Sequence, residues 1–296
     1  MKTVKVIEVK KLTKYYGKNR GVENLSFSVE EGEIFGFIGP NGAGKSTTIR
    51  LLLNFLYPDS GKATIFGKDC FKDSSEIKKT IGYIPGEVNY YGNVRVKELL
   101  EYSMTFYKGS KLQFKKRMIE LAERFSLNLE QKIDELSLGN KKKVAIIQSL
   151  IHKPKLLIYD EPTNGLDPLI QNIFFDLIKE ENKDGVTVFF SSHILSEVQK
   201  LCFKVAVIRD GQIVSVENID DLTTRQYKKV KLSGDVDITS LSGVSNIKRE
   251  NNSVSFIYSG NINHLINFLS KKDVKDVSIN DPSLEEIFMK YYTKGE

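Results

Sequence analysis

The stretch Gly39-Pro-Asn-Gly-Ala-Gly-Lys45-Ser46 limits what this chain can fold into more than any other. It fits Gly-x-x-x-x-Gly-Lys-Ser/Thr, the pattern of a phosphate-binding P-loop. Gly39, Gly42 and Gly44 permit backbone angles that a Cβ forbids, so the loop can turn its N–H groups inward as a nest for phosphate oxygens. A helix expected to start near Gly44 adds the positive end of its dipole. Lys45 then reaches the β- and γ-phosphates as a point charge, and the Ser46 hydroxyl is placed for Mg²⁺. The flanks agree. Residues 34–38 are a short apolar run, as in a buried strand, and residues 47–57 read as a helix with Ile49, Leu52, Leu53 and Leu56 on one face.

A chain of 296 residues is long enough for a large α/β domain and a smaller second one. Cys70 and Cys202 lie far apart, and His152, His193 and His264 share no ligand spacing, so neither residue type suggests a metal site. No apolar run approaches the roughly 18–20 residues of a membrane span, and the N-terminus has no signal-peptide core. The expectation is a chain that neither crosses a membrane nor is exported. A net charge of +6 suits nucleic acid, an anionic membrane or nothing specific. Lysines spread along the whole chain favour a solvated surface.

Residues 4–9 alternate as a strand, and Tyr16-Gly17 follows. An aromatic beside glycine at a strand end either offers its face to an adenine ring or is an ordinary core or surface tyrosine. Residues 24–29 form a second strand, residues 58–61 a turn, 63–66 a strand, 67–69 another turn, and 81–84 a strand ending at Pro85-Gly86-Glu87. From 94 to about 152 the pattern becomes helical, over 94–107, 114–126 and 138–152. The sheet resumes at Leu156-Leu-Ile-Tyr-Asp160-Glu161. A buried strand that delivers an aspartate beside a P-loop is a Walker B arrangement, with Asp160 for Mg²⁺ and Glu161 as general base toward the attacking water. Asp167-Pro168 starts a helix with a capping acid and proline at its first position. Residues 186–190 form a buried strand leading to His193, which either contacts a γ-phosphate or is structural. Asp210-Gly211 between apolar runs marks a hairpin. Composition shifts near 223–227. Beyond it, strands at 230–232, 254–258 and 274–279 and helices at 262–270 and from Ser283 predict a small α+β domain.

Leu136-Ser137-Leu138-Gly139-Asn140, ahead of an amphipathic helix, resembles the signature loop of ABC ATPases. Alone it is a weak motif, but the order P-loop, signature, Walker B, Asp167 loop and His193 is specific. The resemblance implies a P-loop NTPase core over residues 1–223, with an antiparallel β subdomain and a helical subdomain at about 94–152, followed by the small α+β domain at 228–296. It implies ATP and Mg²⁺ as ligands. Residue by residue, Tyr16 looks like the adenine-stacking aromatic, and Gly39, Pro40, Asn41, Gly42, Ala43, Gly44, Lys45, Ser46 and Thr47 like Walker A. Ser137, Gly139 and Asn140 look like the signature, Asp167 like the D-loop acid, and Glu161, His193 and Lys45 like the catalytic set. Ser46 and Asp160 are the implied metal ligands. Two motifs depart from the family pattern. Gly86 stands where glutamine is usual, which leaves Glu87 as a substitute ligand, and Leu138 and Asn140 replace the usual glycine and glutamine.

In ABC proteins the signature loop closes on ATP held by a second subunit. The implied assembly is a homodimer or pseudo-symmetric dimer, docked through the Gly86–Glu87 loop and the helical insertion onto separate integral-membrane permease subunits, at the inner face of the cell membrane. Residues Tyr90, Tyr91, Val94 and Val96 either seat that partner or pack inside the subdomain. The tail, Asp281-Pro-Ser-Leu-Glu-Glu-Ile-Phe288, is similar to ATPase subunits of bacterial drug and antibiotic-peptide exporters. The alternatives are a non-transport ABC-type ATPase acting on nucleic acid or the ribosome, and a regulatory module with little turnover. A single P-loop and the lack of an arginine-aromatic patch argue against nucleic acid.

Overall fold

The computed structural model describes residues 4–90, 92–219, 227–234, 236–250, 252–282 and 286. They divide into two compact units, Met1–Val214 and Ser215–Glu296.

In the first unit, β3 (Ile34–Ile38), β7 (Leu156–Asp160) and β8 (Thr187–Ser192) are buried at every residue. Such unbroken burial is what a parallel sheet covered on both faces requires. The sheet has the order β10-β9-β3-β8-β7-β6, where β6 is Ile81–Ile84, β9 Lys204–Arg209 and β10 Gln212–Asn218. Strands β6, β7, β8, β3 and β9 pair in parallel, with Ile84 opposite Tyr159, Asp160 opposite Ser191 and Ile38 opposite Ser192. Their C-terminal ends therefore open on one edge, where α/β sheets place ligands.

A second sheet, antiparallel, has the order β2-β1-β4-β5, from β1 (Lys5–Tyr16), β2 (Asn19–Glu30), β4 (Ser60–Ile65) and β5 (Lys68–Asp69). Phe27 of β2 packs on Phe35, Phe37 and Phe189 of the parallel sheet, with ring centroids 5.8, 5.5 and 5.9 Å apart. The helices are α1 (Lys45–Leu52), α2 (Ser74–Lys78), α3 (Val96–Met104), α4 (Lys111–Arg124), α5 (Leu138–Leu150), α6 (Pro168–Lys183) and α7 (Leu195–Leu201).

Several sequence expectations need correction. The first strand does not stop at residue 9. It continues to Tyr16 through register shifts, with Lys11 at φ 49°. The helix after the P-loop covers Lys45–Leu52 rather than 47–57, because Asn54 takes a left-handed φ of 52°. Strand β4 begins within the expected turn, at Ser60; a Cβ on Gly61 would meet the Lys11 carbonyl oxygen at 2.2 Å. Lys68 and Asp69 pair with β4 as a strand rather than forming a turn. Val96 is fully buried and Tyr90 donates to Gln148 Oε1 at 3.1 Å, so these two pack inside the unit; Tyr91 lies outside the described residues.

The second unit has a sheet of order β12-β13-β11-β14, from β11 (Tyr227–Ser233), β12 (Val244–Glu250), β13 (Ser253–Ser259) and β14 (Asp276–Asn280), with α8 (Ile262–Leu269). Val230, Leu232, Phe256 and Leu265 form its core. Strand β12 was not expected, since it is mostly exposed and polar. The expected terminal helix from Ser283 lies outside the described residues except for Glu286.

Candidate functional site

The P-loop joins β3 to α1. A Cβ on Gly39 would stand 2.2 Å from the Ile208 carbonyl oxygen, and one on Gly44, at φ 108°, 2.8 Å from that of Gly21. Gly42, at φ 80°, has open space beside it. Space demands glycine at the first two positions, and the dihedral favours it at the third. Gly44 is the N-cap of α1 and supplies no side-chain cap, so the first donors of the helix face the loop. The buried Lys45 Nζ donates to the carbonyls of Gly39 (2.7 Å) and Pro40 (3.1 Å) and lies 3.2 Å from Glu161 Oε1.

At the end of β7, Asp160 is buried and accepts from Ser191 Oγ at 2.7 Å. Glu161 turns out of the strand at φ 46°, a left-handed backbone that costs a non-glycine residue roughly 1–3 kcal/mol. Its N–H donates to the Ser191 carbonyl at 3.1 Å. The turn swings the carboxylate toward Lys45, while Asn164 Nδ2 donates to Oε2 at 2.6 Å and His193 Nδ1 lies 3.2 Å from that oxygen. Burial by itself raises the Glu161 pKa, but Lys45, Asn164 and His193 outweigh it and hold the carboxyl below the usual glutamate range. An ionised carboxylate, oriented by three partners, is what a general base toward water requires.

Ser46, Asp160, Glu161, Gly86 and Glu87 line one cleft, with Asn41, Arg50, Asn89 and Asn164. Hydroxyl and carboxylate oxygens are the donors that Mg²⁺ prefers. Ser46 and Asp160 supply one such oxygen type each, which fits a cation that shares its coordination with phosphate oxygens. Tyr16 stands beside the loop, 44% exposed, its hydroxyl 3.4 Å from Thr47 Oγ1.

Ser137, Gly139, Asn140 and Asp167 are not among the residues lining this cleft. Ser137 caps α5, accepting from Asn140 N at 3.3 Å, and Asp167 caps α6, accepting from Ile170 N at 3.0 Å. Gly139 sits against the Gly165 carbonyl, where a Cβ would come within 2.8 Å. Sequence reasoning missed Ser191, Asn164 and Lys142. Ser191 and Asn164 carry no motif of their own. Lys142 sits in a run of three lysines, and helical spacing does not mark it out: Lys143 is the one that stands three, four and seven residues before Ile146, Ile147 and Leu150, yet Lys142 is the one that is buried.

A phosphate cradle at the edge of a parallel sheet, with paired acids and a histidine behind it, defines a nucleotide-hydrolysing cassette. The family model for ABC transporters matches residues 22–164. The bacitracin transport ATP-binding protein of Bacillus licheniformis is 35% identical, over 98% of this chain and 98% of its own. A solved ATP-binding subunit of an ABC transporter superposes with a TM-score of 0.70 at 30% identity, covering 73% of this chain and 91% of that one. A dimeric ATP-binding cassette in a post-hydrolysis state, bound to ADP and Pi, gives 0.65 at 25% identity, covering 72% and 98%. The chain belongs to the ABC transporter family, as an ATP-binding and ATP-hydrolysing subunit. Among its described residues, no helix is long and apolar enough to cross a membrane.

Proposed function

We propose that this ATPase works as a dimer, two copies or this chain with a similar one, that powers export through separate membrane subunits at the inner face of the membrane. The observation that carries this reading is the division of the site. Ser46, Asp160 and Glu161 line one cleft, with Lys45 3.2 Å from Glu161 Oε1, while Ser137 and Gly139 are not among its lining residues. A second copy in head-to-tail arrangement would bring its Ser137 loop over the ATP held by the first. Export, with a drug or peptide as cargo, is supported by the resemblance to the bacitracin transport protein along nearly the whole chain.

In this reading the P-loop N–H groups and Lys45 bind the β- and γ-phosphates, and Tyr16 stacks on adenine. Lys45 leaves Glu161 as it turns to the phosphates, and Glu161 takes the proton of the attacking water. His193 and Asn164 hold that carboxylate in place. Ser46 and Asp160, with Glu87 facing the same cleft, would hold Mg²⁺, which when bound would supply charge neutralisation on the phosphate oxygens. The cleft lined by Phe55, Tyr83, Val88 and Tyr107 receives the membrane subunit. Residues 228–296 form an accessory domain that steadies or regulates the dimer.

The test is ATP turnover across a protein concentration series, beside Glu161→Gln. Turnover per molecule that rises with concentration in the wild type supports the sandwich. Turnover independent of concentration counts against it.

A further inference from the structure

Lys142 is 2% exposed, and a buried ammonium loses solvation worth several kcal/mol. An apolar residue would fill the same helical position without that loss. The cation has a specific engagement instead. Its Nζ donates to the carbonyls of Pro85 (3.1 Å) and Gly86 (3.0 Å), the first residues after β6. Gly86 in turn borders Asp160: a Cβ there would lie 3.5 Å from Asp160 Oδ2. Burial lowers the Lys142 pKa to about 8 against the pull of Asp160 and Glu161, so the ammonium is the main form at neutral pH. Gly86 has no side chain with which to anchor itself, and its loop continues into Glu87 and the buried Val88. The same helix carries Ser137 at its N-cap, about 7–8 Å of helix rise from Lys142. One rigid element thus touches both the signature loop and the loop beside the acids.

We propose that Lys142 is a positioning residue for hydrolysis, a strut that fixes the Pro85–Glu87 loop against Asp160 and ties its position to that of the signature loop. The inference rests on the ATPase activity and on the place given above to Asp160 and Glu161. It assigns a role that neither the P-loop nor the signature motif requires. The strut acts through the loop and touches no phosphate, so its loss changes kcat and leaves nucleotide binding in place.

The test compares wild type, Lys142→Met and Lys142→Arg in the full chain, by ATP turnover, affinity for a fluorescent ATP analogue, and amide hydrogen exchange. Lys142→Met is expected to lose about tenfold in kcat, with KM and analogue affinity within about twofold. Exchange should accelerate at residues 86–90 and stay unchanged in the P-loop. Lys142→Arg, which keeps the donors, should recover most of the kcat. If Lys142→Met misfolds, seen as accelerated exchange throughout the unit, Lys142→Gln carries the test, with a smaller loss in kcat and the same confined exchange. A kcat within twofold of wild type, or kcat and affinity falling together in a folded variant, overturns the proposal. A wild type without turnover overturns the ATPase reading itself, and that shows before any variant is compared.

Discussion

Helix α1 begins at a glycine that leaves its first donors uncapped, whereas α5 begins at a serine that caps its own. Gly44 sits at φ 108° with no side-chain bond, and Lys45 folds back over the loop carbonyls toward Glu161. Ser137 keeps an extended backbone and accepts from the Asn140 N–H. The first helix end leaves uncapped donors with the Lys45 ammonium beside them, the arrangement that suits an anion. The second is a finished cap, and Ser137 is not among the residues that line the cleft. In the proposed dimer these are two unlike halves of one site, and each half completes the other copy's.

The comparison can be broken most sharply at Glu161. Glu161→Gln should lower turnover by about 10²–10⁴-fold and leave ATP affinity intact, measured by steady-state hydrolysis and equilibrium binding. Glycine substitutions separate space from dihedral. Gly39→Ala, which drives a Cβ into the Ile208 carbonyl, should cost about 2–4 kcal/mol in chemical denaturation. Gly42→Ala, with open space around it, should cost about 1 kcal/mol. At the other helix end, Ser137→Ala should cost about 1 kcal/mol of stability by the same measurement. It should also weaken turnover without changing ATP binding by dilute protein. The smallest effect is in pH. The Glu161 pKa in the folded protein lies below its unfolded value, so its stabilising contribution is complete above the ordinary 4.5 and is lost as pH falls through the lower folded value. The acid limb of kcat/KM should follow, and Lys45→Met should move Glu161 upward, as read by carboxyl carbon NMR.

The buried strands and the loops at their ends were legible because both faces are covered, which leaves an unbroken apolar run ahead of each functional residue. Ile34–Ile38 before Gly39 and Leu156–Tyr159 before Asp160 show this directly. The antiparallel sheet was less legible. Lys10 and Lys11 interrupt β1 where a register shift and a left-handed residue let the strand continue, and no alternation survives such a shift. Strand β12 is a mostly exposed polar segment whose pairing, not its composition, makes it a strand. In the site, the acids and the lysine of the P-loop announce themselves by motif. Ser191 and Asn164 owe their roles to three-dimensional proximity alone. Lys142 was hidden by its neighbours, since a run of three lysines reads as a solvated face, and what sets one of them apart is its contact with the Pro85 and Gly86 carbonyls, distant in the chain.

The central claim is that the two halves meet across a pair of chains. The most direct measurement is the solution mass of the Glu161→Gln protein by light scattering, in Mg-ATP and in Mg-ADP, with and without Ser137→Arg added. The account expects a dimer in ATP, a monomer in ADP, and a monomer in both once Ser137 is replaced. A monomer at saturating ATP, or an ATP dimer indifferent to Ser137→Arg, would contradict it.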